Sequence, residues 1–239
     1  MNSELAAPKV VDRSTFQAEL DALRVREKAH TKEGDMIAAA RRRLPMVAVD
    51  GATKLIGERG PVTLLDTFEG RRMLIAYYFM WHQGKPAPEQ CEGCTWVTSQ
   101  VRELSYLHVR DVTYATFCQG PYEESARYRD FMGWEMPWYS AVGSLDTLLV
   151  GRRVGMMHIV CYLRQGSDVF ETYWTTMRGV EAADNSYRLL DLTVYGRQEQ
   201  WEDSPAAWLK GRNFTRSNGR PTPQWSRVKA GYSDNLQAS

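Results

Sequence analysis

Long apolar runs are missing from this chain. None approaches the roughly 20 residues of a membrane-spanning helix. A surplus of charge is missing too, since 30 basic and 29 acidic residues leave a net charge of +1. Neither nucleic acid nor a membrane is expected as main partner, because nucleic acids and anionic membranes are negatively charged and recruit proteins through a surplus of basic residues. The start, Met1-Asn2-Ser3-Glu4-Leu5, lacks the basic-then-apolar pattern of a signal peptide, so a cytoplasmic location is expected. Cysteine is scarce, with four residues in 239. In the cytoplasm these are not expected to form structural disulfides. No internal repeat is visible.

What is present is a cysteine pair, Cys91-Glu92-Gly93-Cys94. It follows an apolar run from Met73 to Phe79 and opens an expected helix, Thr95 to Val109. At a helix start the backbone N–H groups are unpaired and the dipole is positive, which stabilises a thiolate. The same spacing suits a metal.

Around the pair the pattern divides the chain into three parts. Residues 1–45 read as a loose arm followed by a long helix over about 14–43. Ser14-x-x-Gln17 has capping-box form, Phe16, Leu20 and Leu23 recur at helical spacing, and Pro45 ends the run. Arg41-Arg42-Arg43 is best read as helix-end charge. Residues 46–202 alternate strand and helix signals: a hairpin about Asp50-Gly51, then a buried strand from Met73 to Met80. The cysteine helix follows, then a strand from Val112 to Phe117 and a helix from Tyr122 to Met132. Strands His158–Leu163 and Val169–Tyr173 flank a Gly166-Ser167 turn, and a final helix spans Glu181–Leu190. Residues 203–239 read as an irregular tail that Trp208 and Trp225 pin to the body or to a second subunit.

This order is similar to that of the thioredoxin fold with an added N-terminal hairpin, as in its peroxiredoxin branch. Particular segments also resemble a bacterial thioredoxin-like family of unknown function. They are Arg41-Arg42-Arg43-Leu44-Pro45, Leu65-Asp66-Thr67-Phe68-Glu69-Gly70-Arg71, Tyr77-Tyr78-Phe79-Met80, the cysteine pair, Gly133-Trp134-Glu135-Met136-Pro137-Trp138, Tyr173 with Arg178-Gly179, and Tyr187 through Leu190-Asp191-Leu192-Thr193 to Gly196-Arg197. The resemblance covers about residues 14–202. It implies an α/β thioredoxin-like fold, a central mixed sheet flanked by helices, with an N-terminal β-hairpin and an added long N-terminal helix. It implies no established reaction. Gly155-Met156-Met157-His158 holds no proline where thioredoxins carry a cis-proline. Gln90 stands where they carry a tryptophan. The peroxidase pattern P-x-x-x-T/S-x-x-C fits neither cysteine.

Cys91 is the candidate nucleophile and Cys94 the resolving thiol. Glu92 opposes a second negative charge beside it, so a thiol less acidic than in a strongly oxidising pair is expected, with a disulfide on the reducing side. His158 is a candidate third group, either a proton relay or, with Cys91 and Cys94, a site for copper or zinc. Its plainer reading is a strand histidine with one buried hydrogen bond. Cys118, at the end of its strand, is a candidate third thiol or a small buried hydrophobe. Cys161, mid-strand, reads as core. Trp96, Trp134 and Trp138 are candidate walls of the site, the last two as an apolar docking surface or an ordinary core corner. The long loop Trp81–Gln90 is another candidate wall; His82 within it reads as a ligand or, more plainly, as an exposed loop histidine. Arg178 is read as binding an anion or a carboxylate of the last helix.

Three functions are consistent with these residues. One is a thiol-disulfide oxidoreductase without cofactor, acting on a protein or small-molecule disulfide and restored by a cellular dithiol reductant. A second is a Cu(I)- or Zn(II)-binding module, and a third a non-catalytic interaction protein. The long helix and the tail suggest a homodimer.

Overall fold

A computed structural model describes residues 7–208, 210–211 and 215–237. The first six residues of the expected arm lie outside the described residues, as do 209, 212–214 and 238–239 of the expected tail. The chain forms two units, residues 1–45 with 190–212, and residues 46–189 with 213–239.

In the first unit a 29-residue helix, α1 (Arg13–Arg41), is capped by Asp12. The Asp12 carboxylate accepts the Thr15 N–H at 2.9 Å together with the Ser14 and Thr15 hydroxyls. The cap therefore lies two residues before the Ser14 expected from the capping-box pattern, and the Ser14 hydroxyl is itself engaged as a donor to Asp12. In residues 190–212, Arg197 makes a two-pronged ion pair with Asp191. The Trp208 ring packs on Tyr195 at 5.5 Å.

The second unit is built on an eight-stranded mixed sheet. In chain order its first four strands are β1 (Val47–Val49), β2 (Lys54–Gly57), β3 (Gly60–Thr63) and β4 (Met73–Phe79). Helices α2 (Glu92–Gln100) and α3 (Ser105–His108) follow, then β5 (Val112–Cys118), α4 (Tyr122–Met132), β6 (Trp138–Ser140) and α5 (Leu145–Leu148). Strands β7 (His158–Gln165) and β8 (Asp168–Thr176) lead to α6 (Asn185–Leu190), whose last residue belongs to the first unit. The strand order is β1-β8-β7-β4-β5-β6-β2-β3. Within it, β4 and β5 run parallel and are joined by α2, while β7 and β8 form an antiparallel hairpin beside β4. This β-α-β-α-β-β arrangement is the thioredoxin-like core.

Both faces of the sheet are covered, which explains the near-continuous apolar runs of β4 and β5. Alternation sorts their side chains. Tyr77, Phe79, Tyr114 and Cys118 face one core together with Cys91 and Cys94. Leu74, Ala76, Tyr78, Ala115, Phe117, Val160 and Tyr162 face the other. The β7–β8 turn is tight, with Gln165 opposite Asp168 and Gly166 at φ 61°.

The expected hairpin about Asp50-Gly51 is replaced by a crossing. β1 pairs with β8, and β2 pairs with β3 and β6. Asp50 turns the chain by accepting the Ala52 N–H on its carboxylate and the Thr53 N–H on its carbonyl. In a flat sheet β1 and β2 would stand about 29 Å apart. The chain from Val49 to Lys54 spans about 18 Å at most, so the sheet is curled.

The expected cysteine helix is two helices. α2 begins at Glu92, and its end at Gln100 follows a stretch rich in β-branched Thr95, Val97 and Thr98, with Val101 extended. Glu103 then accepts the Ser105 N–H at 2.8 Å and starts α3. The final helix is shorter than expected, because Asp184 accepts the Tyr187 N–H and caps α6 only there. The tail, expected to be irregular, holds β9 (Arg216–Ser217), β10 (Arg220–Pro221) and α7 (Gln224–Lys229). Leu236 is buried in the core that holds the cysteines, which is why residues 213–239 join this unit.

Candidate active site

Cys91 is the N-cap of α2. Its sulfur accepts the Cys94 N–H at 3.4 Å, so one of the unpaired N–H groups at the helix start points at the thiol. Cys94 lies one turn in, and its sulfur accepts the Met80 N–H from the end of β4 at 3.3 Å. Cys91 is 8% exposed and Cys94 fully buried. Both thiols are free.

The two thiols titrate far apart. The Cys94 thiol hydrogen-bonded to Cys91 lowers the Cys91 pKa to about 7, helped by the Cys94 N–H and by His82 and opposed by burial and Glu92. That is above the roughly 3.5 of a strongly oxidising pair. Burial, with Cys91 beside it, pushes the Cys94 thiol well up. The arrangement supplies one acidic, slightly exposed thiol and one protonated, buried partner.

The loop before the pair is tied from within. Gln90, fully buried, accepts the His82 N–H at 3.0 Å and donates to the carbonyls of His82 and Lys85 at 2.9 Å. Glu124 on α4 accepts the Trp81 indole N–H at 2.8 Å and the Gly84 N–H at 2.9 Å. The tail holds the same loop from outside. Arg216 donates to the Pro88 carbonyl at 2.8 Å and lies 3.5 Å from Glu92. Gln224 donates to the Ala87 carbonyl and the Tyr128 hydroxyl, both at 2.7 Å.

The remaining sequence candidates fall in different places. His158 pairs in register with Tyr78, and so lies on the face of the sheet away from the cysteines. Its Nε2 meets the Arg153 carbonyl at 2.9 Å and its ring packs on Trp174; burial lowers its pKa. The Cys91-Cys94-His158 set is thus not brought together, because a one-residue step along a strand changes face. Met157, one residue earlier, takes that place, its methyl 4.0 Å from where a side chain on Gly93 would begin. Among the described residues no group of three or more His, Cys, Asp or Glu is set to hold a metal.

Cys118 is buried on the cysteine face, with Ser125 and the Gly120 N–H beside its thiol, and burial raises its pKa to about 12. Trp134 and Trp138 stack at 5.7 Å and pack on Phe79. Both are buried, so they form a core corner under the site rather than a docking surface. Trp96 packs on Tyr187 at 5.2 Å. Arg178 pairs with Glu181 at 3.0 Å. The His82 ring, on an exposed residue, meets the Glu89 carbonyl at 2.7 Å.

Residues 5–216 match the model of a family described as "Bacterial protein of unknown function (DUF899)". The chain belongs to this family. No curated protein matches it. Among solved structures it is similar to peroxidoxin BcpB from Mycobacterium tuberculosis, at 12% identity over 58% of this chain and 94% of that one, with a TM-score of 0.41. Peroxiredoxin Q from Xanthomonas campestris matches at 13% identity over 59% and 92%, with a TM-score of 0.39. A thioredoxin from Wuchereria bancrofti matches at 14% over 57% and 89%, with a TM-score of 0.35. Among the described residues no helix is long and apolar enough to cross a membrane.

Sequence reasoning did not find Arg216, Gln224 or Met157. The first two come from the tail, more than 120 positions from the loop they hold. Asn218-Gly219 is a hairpin signal that pointed to order there. Met157 is named only once strand register fixes which residue faces the pair.

Proposed function

We propose that this chain is a thiol-disulfide oxidoreductase using Cys91 and Cys94. Cys91 attacks a disulfide to form a mixed disulfide and release one thiol. Cys94 then attacks Cys91, the second thiol leaves, and the pair ends as a disulfide. A cellular dithiol reduces it again. No resident metal or cofactor enters this cycle.

The supporting observation is the Cys91 thiol at the start of α2, under the Cys94 N–H, with a pKa of about 7. Roughly half of it is thiolate at neutral pH, and the thiolate is the nucleophile. With Cys91 only 8% exposed, a small or extended disulfide reaches it more readily than one inside a folded protein. We place the protein in the cytoplasm, where its free thiols stay reduced. We extend the proposal to a homodimer through α1, whose Phe16, Leu23, Met36 and Ile37 are exposed; light scattering would give a monomer mass if this is wrong.

The test is titration in graded dithiol redox buffers with metal chelated, reading Cys91 and Cys94 by thiol labelling and mass. Joint oxidation as one reversible two-electron couple is expected. Cys94→Ser should accumulate mixed disulfides, and Cys91→Ser should abolish turnover. Equal residual turnover in both variants rules the reading out. Thiols that label with the chelator present and stay unreactive when it is left out favour metal binding instead.

A further inference from the structure

The pair poses a problem that the acidity of Cys91 does not solve. Cys94 must become a thiolate in order to attack Cys91, yet it is fully buried, and burial opposes its charge. Among the described residues only one backbone donor, the Met80 N–H at 3.3 Å, points at its sulfur. Once Cys91 is in a mixed disulfide, its charge no longer holds the Cys94 proton, and what remains around Cys94 decides the resolving step.

Tyr77 lies on β4, three residues before Met80, on the cysteine face of the sheet. It is fully buried, and among the described residues its hydroxyl has no hydrogen-bond partner of good geometry, only the Cys94 thiol beside it. A buried hydroxyl without a partner is costly, and this one stands against the Cys94 thiol. Its own proton is firmly held, because burial and the neighbouring thiols oppose a phenolate. It therefore acts as a donor. A thiolate on Cys94 is the acceptor it lacks.

We propose that the Tyr77 hydroxyl hydrogen-bonds the Cys94 thiolate in the resolving step and is a catalytic group of this site. The proposal rests on the thiol-disulfide reading above. In the step, the Cys94 proton passes to water and the Cys94 sulfur forms a bond to the Cys91 sulfur. The bond from Cys91 to the substrate sulfur breaks with its electron pair, and the departing thiolate takes up a proton. The cysteine pair is oxidised by two electrons, the substrate disulfide is reduced by two, and Tyr77 keeps its proton throughout.

The experiment mixes reduced protein carrying Cys161→Ser with one equivalent of 5,5′-dithiobis(2-nitrobenzoate). Attack by Cys91 releases a first coloured thiolate and resolution by Cys94 a second, so stopped-flow absorbance separates the steps. In Tyr77→Phe the first phase and its pH midpoint should be unchanged. The second should slow about tenfold, the loss expected for one hydrogen bond to a charged group, and its midpoint should move to higher pH. Because the hydroxyl has only the Cys94 thiol beside it in the reduced protein, the variant should melt close to its parent. A second phase unchanged in rate and midpoint overturns the proposal, and so does equal slowing of both phases. A parent that releases only one equivalent overturns the thiol-disulfide reading itself. As an independent measure, the Cys94 thiolate absorbance in Cys91→Ser should appear at higher pH when Tyr77→Phe is added; no movement counts against the role.

Discussion

Arg216 and Glu92 are 3.5 Å apart, and the pair ties the tail to the residue beside the nucleophile. Glu92 raises the Cys91 pKa, and the guanidinium offsets part of that charge. Both side chains are about one-third exposed, so solvent screens the effect. Arg216→Ala should lower the rate of Cys91 alkylation by iodoacetamide at pH 7 by roughly a factor of two. Glu92→Gln should raise it. An alkylation rate that moves in the same direction in both variants would contradict this account.

The acidity of Cys91 also predicts how stability varies with pH. Its folded pKa of about 7 lies below the ordinary thiol value of 9.0. The thiolate therefore adds stability that is complete above the unfolded pKa and lost as pH falls through 7. Cys94 and Cys118 are shifted upward, so they oppose folding at pH above their unfolded pKa values. The gain should appear between pH 7 and 9 and stop there. Urea unfolding of the reduced protein should show a rise of roughly 1–3 kcal/mol across that window, absent from Cys91→Ser. Parallel curves for the two proteins would show that the thiolate is not stabilised.

Gln224 is fully buried and donates two hydrogen bonds, to the loop before Cys91 and to Tyr128 on α4. Gln224→Ala leaves the Ala87 carbonyl without that donor and should cost about 2–3 kcal/mol in denaturant unfolding. It should also speed Cys91 alkylation at pH 10, where the thiol is ionised in both proteins and only access differs. An unchanged rate would mean that the tail does not limit access.

Gly120 follows β5, and a Cβ there would come within 2.0 Å of the Trp81 ring. Gly120→Ala must displace that ring and strain its bond to Glu124. A loss of about 1–3 kcal/mol is expected, with quenching or a shift of tryptophan fluorescence. Unchanged stability and emission would place Trp81 elsewhere.

The fold was legible wherever one element's own pattern settled it. The runs of β4 and β5, the helix Tyr122–Met132 and the tight turn before Asp168 all carry their periodicity or turn chemistry locally. What was not legible depends on pairing. Asp50-Gly51 has the residues of a hairpin turn, yet its flanking strands pair with β8 and β3, choices made by the curl of the sheet. β6 is too short, after Pro137, to carry a period. Cys91 and Cys94 were legible as a site because spacing and helix start coincide. His158 was not placeable, because one step of register decides which face it takes. Arg216 and Gln224 sit in a polar segment with no apolar rhythm, and only their distant partners give them a role.

The tail has a consequence for synthesis. Ala87 and Gln224 are separated by 137 positions, so the loop before Cys91 is made long before the residues that fasten it. Domains tend to fold from the N-terminal side as the chain emerges. The nascent protein therefore passes through an interval in which Cys91 has been made and the residues that cover it have not. In that interval Cys91 is more open to oxidants and to other thiols than it ever is in the finished molecule.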